Sequence, residues 1–80
     1  MTDMNTATIR VVYTPPMDNY DGFHVYQVLH GDDKVLGGSY NTSDTEAVWN
    51  LAFRKALVKG FTHYVRFGSV AEPQIIPASA

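Results

Sequence analysis

The chain has 80 residues, which is enough for one hydrophobic core and excludes a second domain of comparable size. It contains no cysteine, so it forms neither a disulfide nor a thiolate zinc site, and we expect a reducing, cytoplasmic location. Eight carboxylates against six Lys and Arg give a net charge of −2, which argues against a nucleic-acid-binding protein because such proteins usually carry a basic face.

A β-strand is predicted over residues 8–13, after residues 1–7, which we expect to be frayed. The strand segment is rich in β-branched and aromatic side chains. Pro15 and Pro16 end it, since proline cannot donate to a β-ladder. Residues 17–22 then have the composition of an exposed loop. The start of the chain is polar, so we expect no signal peptide and no membrane span.

Two further strands are predicted over residues 23–29 and 34–41, joined by a Gly-Asp-Asp turn at 31–33. Gly37 and Gly38 weaken the third strand and indicate either a β-bulge or a close backbone contact. Consecutive strands with short connections are usually neighbours in a sheet. The three strands therefore most simply form an antiparallel meander.

One α-helix is predicted after the third strand, because the sequence has start and stop signals at both of its ends. Ser43 and Glu46 match a capping box, in which the Ser43 hydroxyl accepts the Glu46 backbone N–H and the Glu46 side chain reaches back. Carboxylates near the start and Lys and Arg near the end complement the helix dipole. Gly60 is placed to leave the helix through a left-handed conformation.

Two apolar arcs run along this helix at 100° per residue. One arc contains Trp49, Ala52, Phe53 and Ala56, and the other contains Ala47, Leu51 and Val58. A single sheet packs against one face of a helix and so covers one of these two arcs. The second arc is therefore either additional core, covered by lysine stems, or a contact surface for a partner or a second copy of the chain.

The end of the chain predicts a fourth strand over residues 62–67 and, between two prolines, at most a short edge strand over 74–76. We expect residues 77–80 to be frayed. The sequence thus predicts a single α+β domain over residues 1–80. Its elements follow the order βββαβ, with a small antiparallel meander sheet packed on one α-helix.

No motif indicates catalysis or metal binding. The serines lack the neighbours of a nucleophile elbow, and residues 37–39 lack the lysine and spacing of a phosphate loop. His24 and His30 lie about 20 Å apart along one strand. A site built on His63 would have no cysteine to complete it. We expect a protein that is not an enzyme and that has no metal and no other cofactor.

The charge distribution points to a binding surface. Strand direction alternates in a βββαβ chain, so residues 15–22, 42–46 and 68–72 fall at the same end of the domain. These segments contain no Lys or Arg, and they carry Asp18, Asp21, Asp44, Glu46 and Glu72, with Tyr20 among them. Carboxylates without a counter-charge mimic a short stretch of phosphate backbone and suit docking onto a basic, nucleic-acid-binding groove. The alternative is that they serve the helix dipole and solvate loops.

The second half of the chain resembles a family of short anti-CRISPR proteins, encoded by phages and mobile elements, that act against type I-F CRISPR systems. The resemblance comprises Ser43-Asp44, Ala47 on an alanine-bearing helix, Gly60, Tyr64-Val65 and Gly68-Ser69. The first half is compatible in layout, with a strand that ends in Thr-Pro and a Gly-Asp turn.

The resemblance implies a non-catalytic inhibitor that acts in the host bacterial cytoplasm. Such a protein binds a Cas subunit of a type I surveillance complex and blocks the binding or recruitment of target DNA, without contacting nucleic acid itself. The family carries over no individual binding residues. The candidate partner-binding residues follow from charge alone, and they are Asp18, Tyr20, Asp21, Asp44 and Glu46.

Two other functions are also compatible with the sequence. The second apolar arc of the helix favours a homodimeric regulatory or antitoxin-like module. A small RNA- or DNA-binding domain is the other alternative, with Tyr26, Tyr40 and Arg66 on the open face of the sheet as a stacking platform.

Overall fold

The computed structural model describes residues 5–19 and 21–78, which form a five-stranded sheet with one helix against it. The elements in chain order are β1 Thr6–Thr14, β2 Phe23–His30, β3 Asp33–Tyr40, α1 Thr45–Val58, β4 His63–Arg66 and β5 Gln74–Ile75. The predicted α+β class and the βββαβ order are confirmed, with β5 as the short edge strand. β1 begins at Thr6, so residues 6 and 7 belong to the sheet and not to a frayed start.

The strand order is β3-β2-β1-β4-β5. The first three strands form the predicted antiparallel meander. β4 joins the other side of β1 in parallel, and β5 pairs antiparallel with β4, so the complete sheet is mixed. Helix α1 makes this possible because it returns the chain to the end where β1 starts. β4 covers only Thr6–Ile9 of β1. Residues 10–14 therefore have a neighbouring strand on the β2 side alone.

One hydrophobic core fills the space between α1 and the sheet. Its buried apolar residues are Ala7, Ile9, Tyr26, Val28, Val48, Ala52, Phe53, Ala56, Phe61, Tyr64 and Ile76. Alternate residues of β1 and β2 contribute to it, as the two-residue period of a strand requires. Full burial of each large apolar side chain is worth about 1.5–3 kcal/mol. The described residues include no helix with the length and hydropathy needed to cross a membrane.

The N-cap of α1 is Asp44, and the predicted cap at Ser43 is wrong. Asp44 has an extended backbone, and its Oδ1 accepts the Ala47 N–H at 3.2 Å. An aspartate carboxylate caps as well as a serine hydroxyl and adds a charge that the helix dipole favours. The helix therefore starts one residue later than the capping box suggests, and Ser43 is exposed.

The C-terminal end of α1 confirms the prediction for Gly60, which has a φ of 96°. The Gly60 N–H donates to the Leu57 carbonyl at 3.0 Å, and the Phe61 N–H donates to the Ala56 carbonyl at 3.1 Å. This pair of bonds is the Schellman motif, in which the first of the two donor residues, here Gly60, has a positive φ. It turns Phe61 into the core.

The paired glycines of β3 mark a close backbone contact. A Cβ atom on Gly37 would lie 2.9 Å from the Tyr26 carbonyl oxygen, which is too close for any side chain. The ring of Tyr26 covers Gly38. The bulge is elsewhere, where the register of β2 and β3 shifts between Val28 and Leu29. Of the two explanations for the glycines, the contact is therefore the correct one.

Candidate partner-binding surfaces

Three connections lie at one end of the molecule, as strand alternation predicts. β1 and β3 both run antiparallel to β2, and β4 runs parallel to β1. The loop after β1, the segment between β3 and α1 and the segment after β4 therefore leave the sheet at the same end. We define the acidic end as Asp18, Asp21, Asp44 and Glu46, all of which are exposed. Tyr20, the remaining candidate, lies outside the described residues.

An open depression of about 570 Å³ occupies part of the acidic end. It lies between the start of β2 and the end of β3, and Asp21, Phe23, Ser39 and Asn41 line it. Asp18 is in the turn that precedes β2. Among the described residues, the lining thus combines a carboxylate, an aromatic ring and two neutral polar side chains.

His24 fixes the helix start against the sheet. The residue is fully buried, and its Nδ1 lies 2.8 Å from the Thr42 carbonyl oxygen. A carbonyl oxygen only accepts hydrogen bonds, so Nδ1 carries a proton. Nε2 lies 2.8 Å from Thr45 Oγ1, the hydroxyl of the first helical residue. These two bonds hold Asp44, which lies between Thr42 and Thr45, at a fixed place beside β2.

The carboxylates of the acidic end lack neutralising partners. None of the four forms an ion pair with any described residue. Glu72, the fifth predicted carboxylate, has a different environment, because it lines a groove of about 140 Å³ together with Arg66. Arg66 is the last residue of β4 and therefore bounds the acidic end on that side. The absence of cations is thus a property of the 15–22 and 42–46 segments and does not extend to β4.

The second apolar arc of α1 is mostly part of the core. Leu51 packs against the buried residues, and Ala47 is half-buried. Val58 is 84% exposed and is the one large apolar side chain that this arc presents to solvent. A single valine gives little area for a dimer interface, since stable interfaces bury about 800 Å² per partner.

The residues suggested for a nucleic-acid platform do not lie together on the open face of the sheet. Tyr26 is buried beneath α1. Arg66 lies on the helix side, with its guanidinium carbon 4.7 Å from the centroid of the Trp49 ring. That interpretation of the three residues was wrong, because the pairing of β1 with β2 and β4 directs Tyr26 and Arg66 toward α1.

A second groove was not anticipated from the sequence. It lies beside the uncovered half of β1, and Arg10, Arg66, Trp49 and Phe67 are among the residues that line it. The signal that could have located it is Gly68, which has a φ of 79° and lies in the turn directly after β4. A short β4 next to a long β1 leaves part of the β1 edge open.

In the described residues, no three His, Asp or Glu side chains are grouped closely enough to hold a metal ion. Comparison of the chain with protein-family models, with curated proteins and with solved structures finds no match in any of the three.

Proposed function

We propose that this is a non-catalytic binding protein that docks its acidic end onto a basic, nucleic-acid-binding groove of a partner protein and so blocks that groove. The observation that supports this proposal is the clustering of Asp18, Asp21, Asp44 and Glu46 at one end of the fold without an ion pair to any described residue. Surface carboxylates without a cation of their own chain are available to pair with the cations of a partner.

The physical effect of such a surface is mainly on association. Clustered charges of one sign create a potential of several kT that steers an oppositely charged partner and raises the association rate. Ionic strength screens this potential, with a Debye length of about 8 Å at 0.15 M salt. Binding should therefore weaken as salt rises, and it should depend on the charges of the acidic end more than on the net charge of the chain.

The target that the family resemblance implies is a Cas subunit of a type I CRISPR surveillance complex. The protein would then act in the cytoplasm of a bacterial host, occupying the surface on which target DNA binds or preventing later recruitment. It would make no contact with nucleic acid or with a membrane. The two parts of the proposal are separable, since the acidic end could serve the same purpose on another nucleic-acid-handling complex.

The first experiment adds the purified protein in stoichiometric excess to a type I-F surveillance complex and measures binding and cleavage of a fluorescent target DNA. We expect inhibition of DNA binding by the unmodified chain. The double variant Asp18→Asn/Asp21→Asn should require at least tenfold more protein for half-inhibition at low salt, because each exposed charge contributes to docking. The difference from the unmodified chain should shrink as salt rises, because salt screens the charges that the variant removes.

The matched control is Asp32→Asn/Asp33→Asn, which changes the net charge equally at the opposite end of the molecule. It should inhibit as the unmodified chain does. Equal loss in both double variants would show that net charge matters and that the acidic end is not the docking surface. If the unmodified protein leaves DNA binding and cleavage unchanged, the surveillance complex is not its target.

A further inference from the structure

We infer that the open edge of β1 binds an extended acidic segment of a partner protein by strand addition. This surface lies beyond the acidic end, and the inference does not rest on the proposed function. β1 runs from Thr6 to Thr14, whereas its pairing with β4 ends at Ile9. A gap in the strand pairing therefore remains beside residues 10–14, on the side of β1 that β4 covers earlier.

The backbone in this gap has hydrogen-bonding groups to offer. The Phe67 N–H donates to the Ile9 carbonyl at 2.9 Å, so the polar groups of Ile9 point toward β4. Backbone direction alternates along a strand, so Val11 and Tyr13 direct their N–H and C=O groups the same way. Among the described residues, no backbone group reaches them on that side. Unpaired groups on a strand edge are a template for another strand.

The side chains around the gap form a groove of about 280 Å³, lined by residues 9–12 with Trp49, Arg66 and Phe67. Val12 and Phe67 are 40% and 58% exposed. The groove thus combines an open backbone edge with apolar surface. An extended peptide uses both, since its main chain bonds to the edge and its alternate side chains fill pockets.

Two arginines give the groove its charge. The guanidinium carbon of Arg66 lies 4.7 Å from the Trp49 centroid on the helix side of the sheet. That of Arg10 lies 5.2 Å from the Phe67 centroid, and Arg10 alternates with the buried Ile9, so it belongs to the opposite face. Stacking on an aromatic ring orients a guanidinium and leaves its in-plane N–H donors available. Neither arginine forms an ion pair with another described residue.

The two arginines and the open edge together specify the ligand. Successive side chains of an extended strand point to opposite faces of the sheet. A strand in the gap that carries two consecutive carboxylates would direct one toward Arg66 and the next toward Arg10, where each can form a bidentate ion pair. Nucleic acid also supplies anions for arginine, but it has no backbone amides to pair with Val11 and Tyr13. The geometry therefore favours an acidic peptide.

The test uses the full chain and a capped, fluorescein-labelled peptide of eight residues, with two consecutive glutamates flanked by valine and threonine. We expect saturable binding by fluorescence anisotropy. With an unlabelled peptide, a change in the emission of Trp49, the one tryptophan of the chain, should accompany binding. Arg10→Gln and Arg66→Gln should each raise the Kd at least fivefold. Arg54→Gln, an exposed helix position with the same charge change, should leave it unchanged.

Glu72 offers a variant that should strengthen binding. It lines an adjoining groove with Arg66 without forming an ion pair, so its charge competes with the peptide carboxylate. Glu72→Gln should lower the Kd about twofold to threefold at low salt, as removal of one partly screened like charge does. Circular dichroism melts of all four variants establish that they are folded before their affinities are compared.

Two peptide controls decide between strand addition and simple charge attraction. N-methylation of alternate residues along one edge of the peptide should abolish binding, and along the other edge should leave it intact. A peptide with two lysines in place of the glutamates should not bind. If both methylated peptides bind equally, or if single-stranded DNA binds with the same arginine dependence while the acidic peptide does not, the inference is wrong.

Discussion

The carboxylate of Asp44 caps α1 and also belongs to the acidic end. Its Oδ1 accepts the Ala47 N–H, while its own backbone N–H donates to Thr42 Oγ1 at 3.1 Å. These bonds fix the backbone and one oxygen of the carboxylate, and the side chain stays exposed. The position therefore has a structural role and a charge that a partner can use, and substitutions at this residue can separate the two.

Replacement of Asp44 by alanine should destabilise the protein by about 1 kcal/mol, because one N–H of the first helical turn loses its partner. Ser43→Ala, one residue earlier, should change the free energy of unfolding by less than about 0.5 kcal/mol, as is usual for exposed positions. Urea unfolding followed by circular dichroism measures both. A larger loss of stability in Ser43→Ala than in Asp44→Ala would show that Ser43 is the N-cap residue. Asp44→Asn should keep the cap and the stability.

At the scale of elements, β1 has two halves with different surroundings. Residues 6–9 lie between β2 and β4, and residues 10–14 are paired with β2 only. The first half carries Ala7 and Ile9, both fully buried, whereas Tyr13 is 41% exposed. The strand therefore passes from the centre of the sheet to an edge along its own length.

Amide hydrogen exchange should report this change residue by residue. The N–H groups of Arg10 and Val12 point toward β2 and should exchange slowly, whereas those of Val11 and Tyr13 point into the gap and should exchange at least tenfold faster. Exchange followed by two-dimensional NMR resolves the four amides. Equal protection of all four would mean that part of the chain covers the edge in solution, and the strand-addition surface would then be blocked.

The elements differ in how far the sequence could predict them. The helix and the three meander strands follow from local patterns, such as the glycine at 60 and the apolar alternation of residues 23–29. The parallel pairing of β4 with β1 does not, because it depends on which strand edge remains free once α1 has packed. The acidic end could be predicted from strand direction. The position of Arg66 beside Glu72 and the groove with Arg10 could not, since both require the neighbour of β4.

At the scale of the whole molecule, a single helix covers one face of the sheet and packs on it through one apolar core, to which His24 adds polar contacts. At the end where α1 begins, His24 joins β2 to both Thr42 and Thr45. Its ring also contacts Tyr13, with centroids 4.6 Å apart. A small domain has a free energy of unfolding of only about 5–15 kcal/mol. One buried polar connection is therefore a substantial fraction of the whole.

Replacement of His24 by phenylalanine should destabilise the molecule by about 1–3 kcal/mol, because the Thr42 carbonyl loses its hydrogen-bond partner in a half-buried site. Phenylalanine is bulkier than histidine, so the loss combines the two missing hydrogen bonds with strain from overpacking at this buried position. The matched control is His30→Phe on the same strand, where the ring is exposed and makes a T-shaped contact with Phe61, with centroids 5.5 Å apart. That variant should stay within about 0.5 kcal/mol of the unmodified chain. Thermal and urea unfolding measure both variants, and an equal loss in the two would show that His24 contributes through its ring alone.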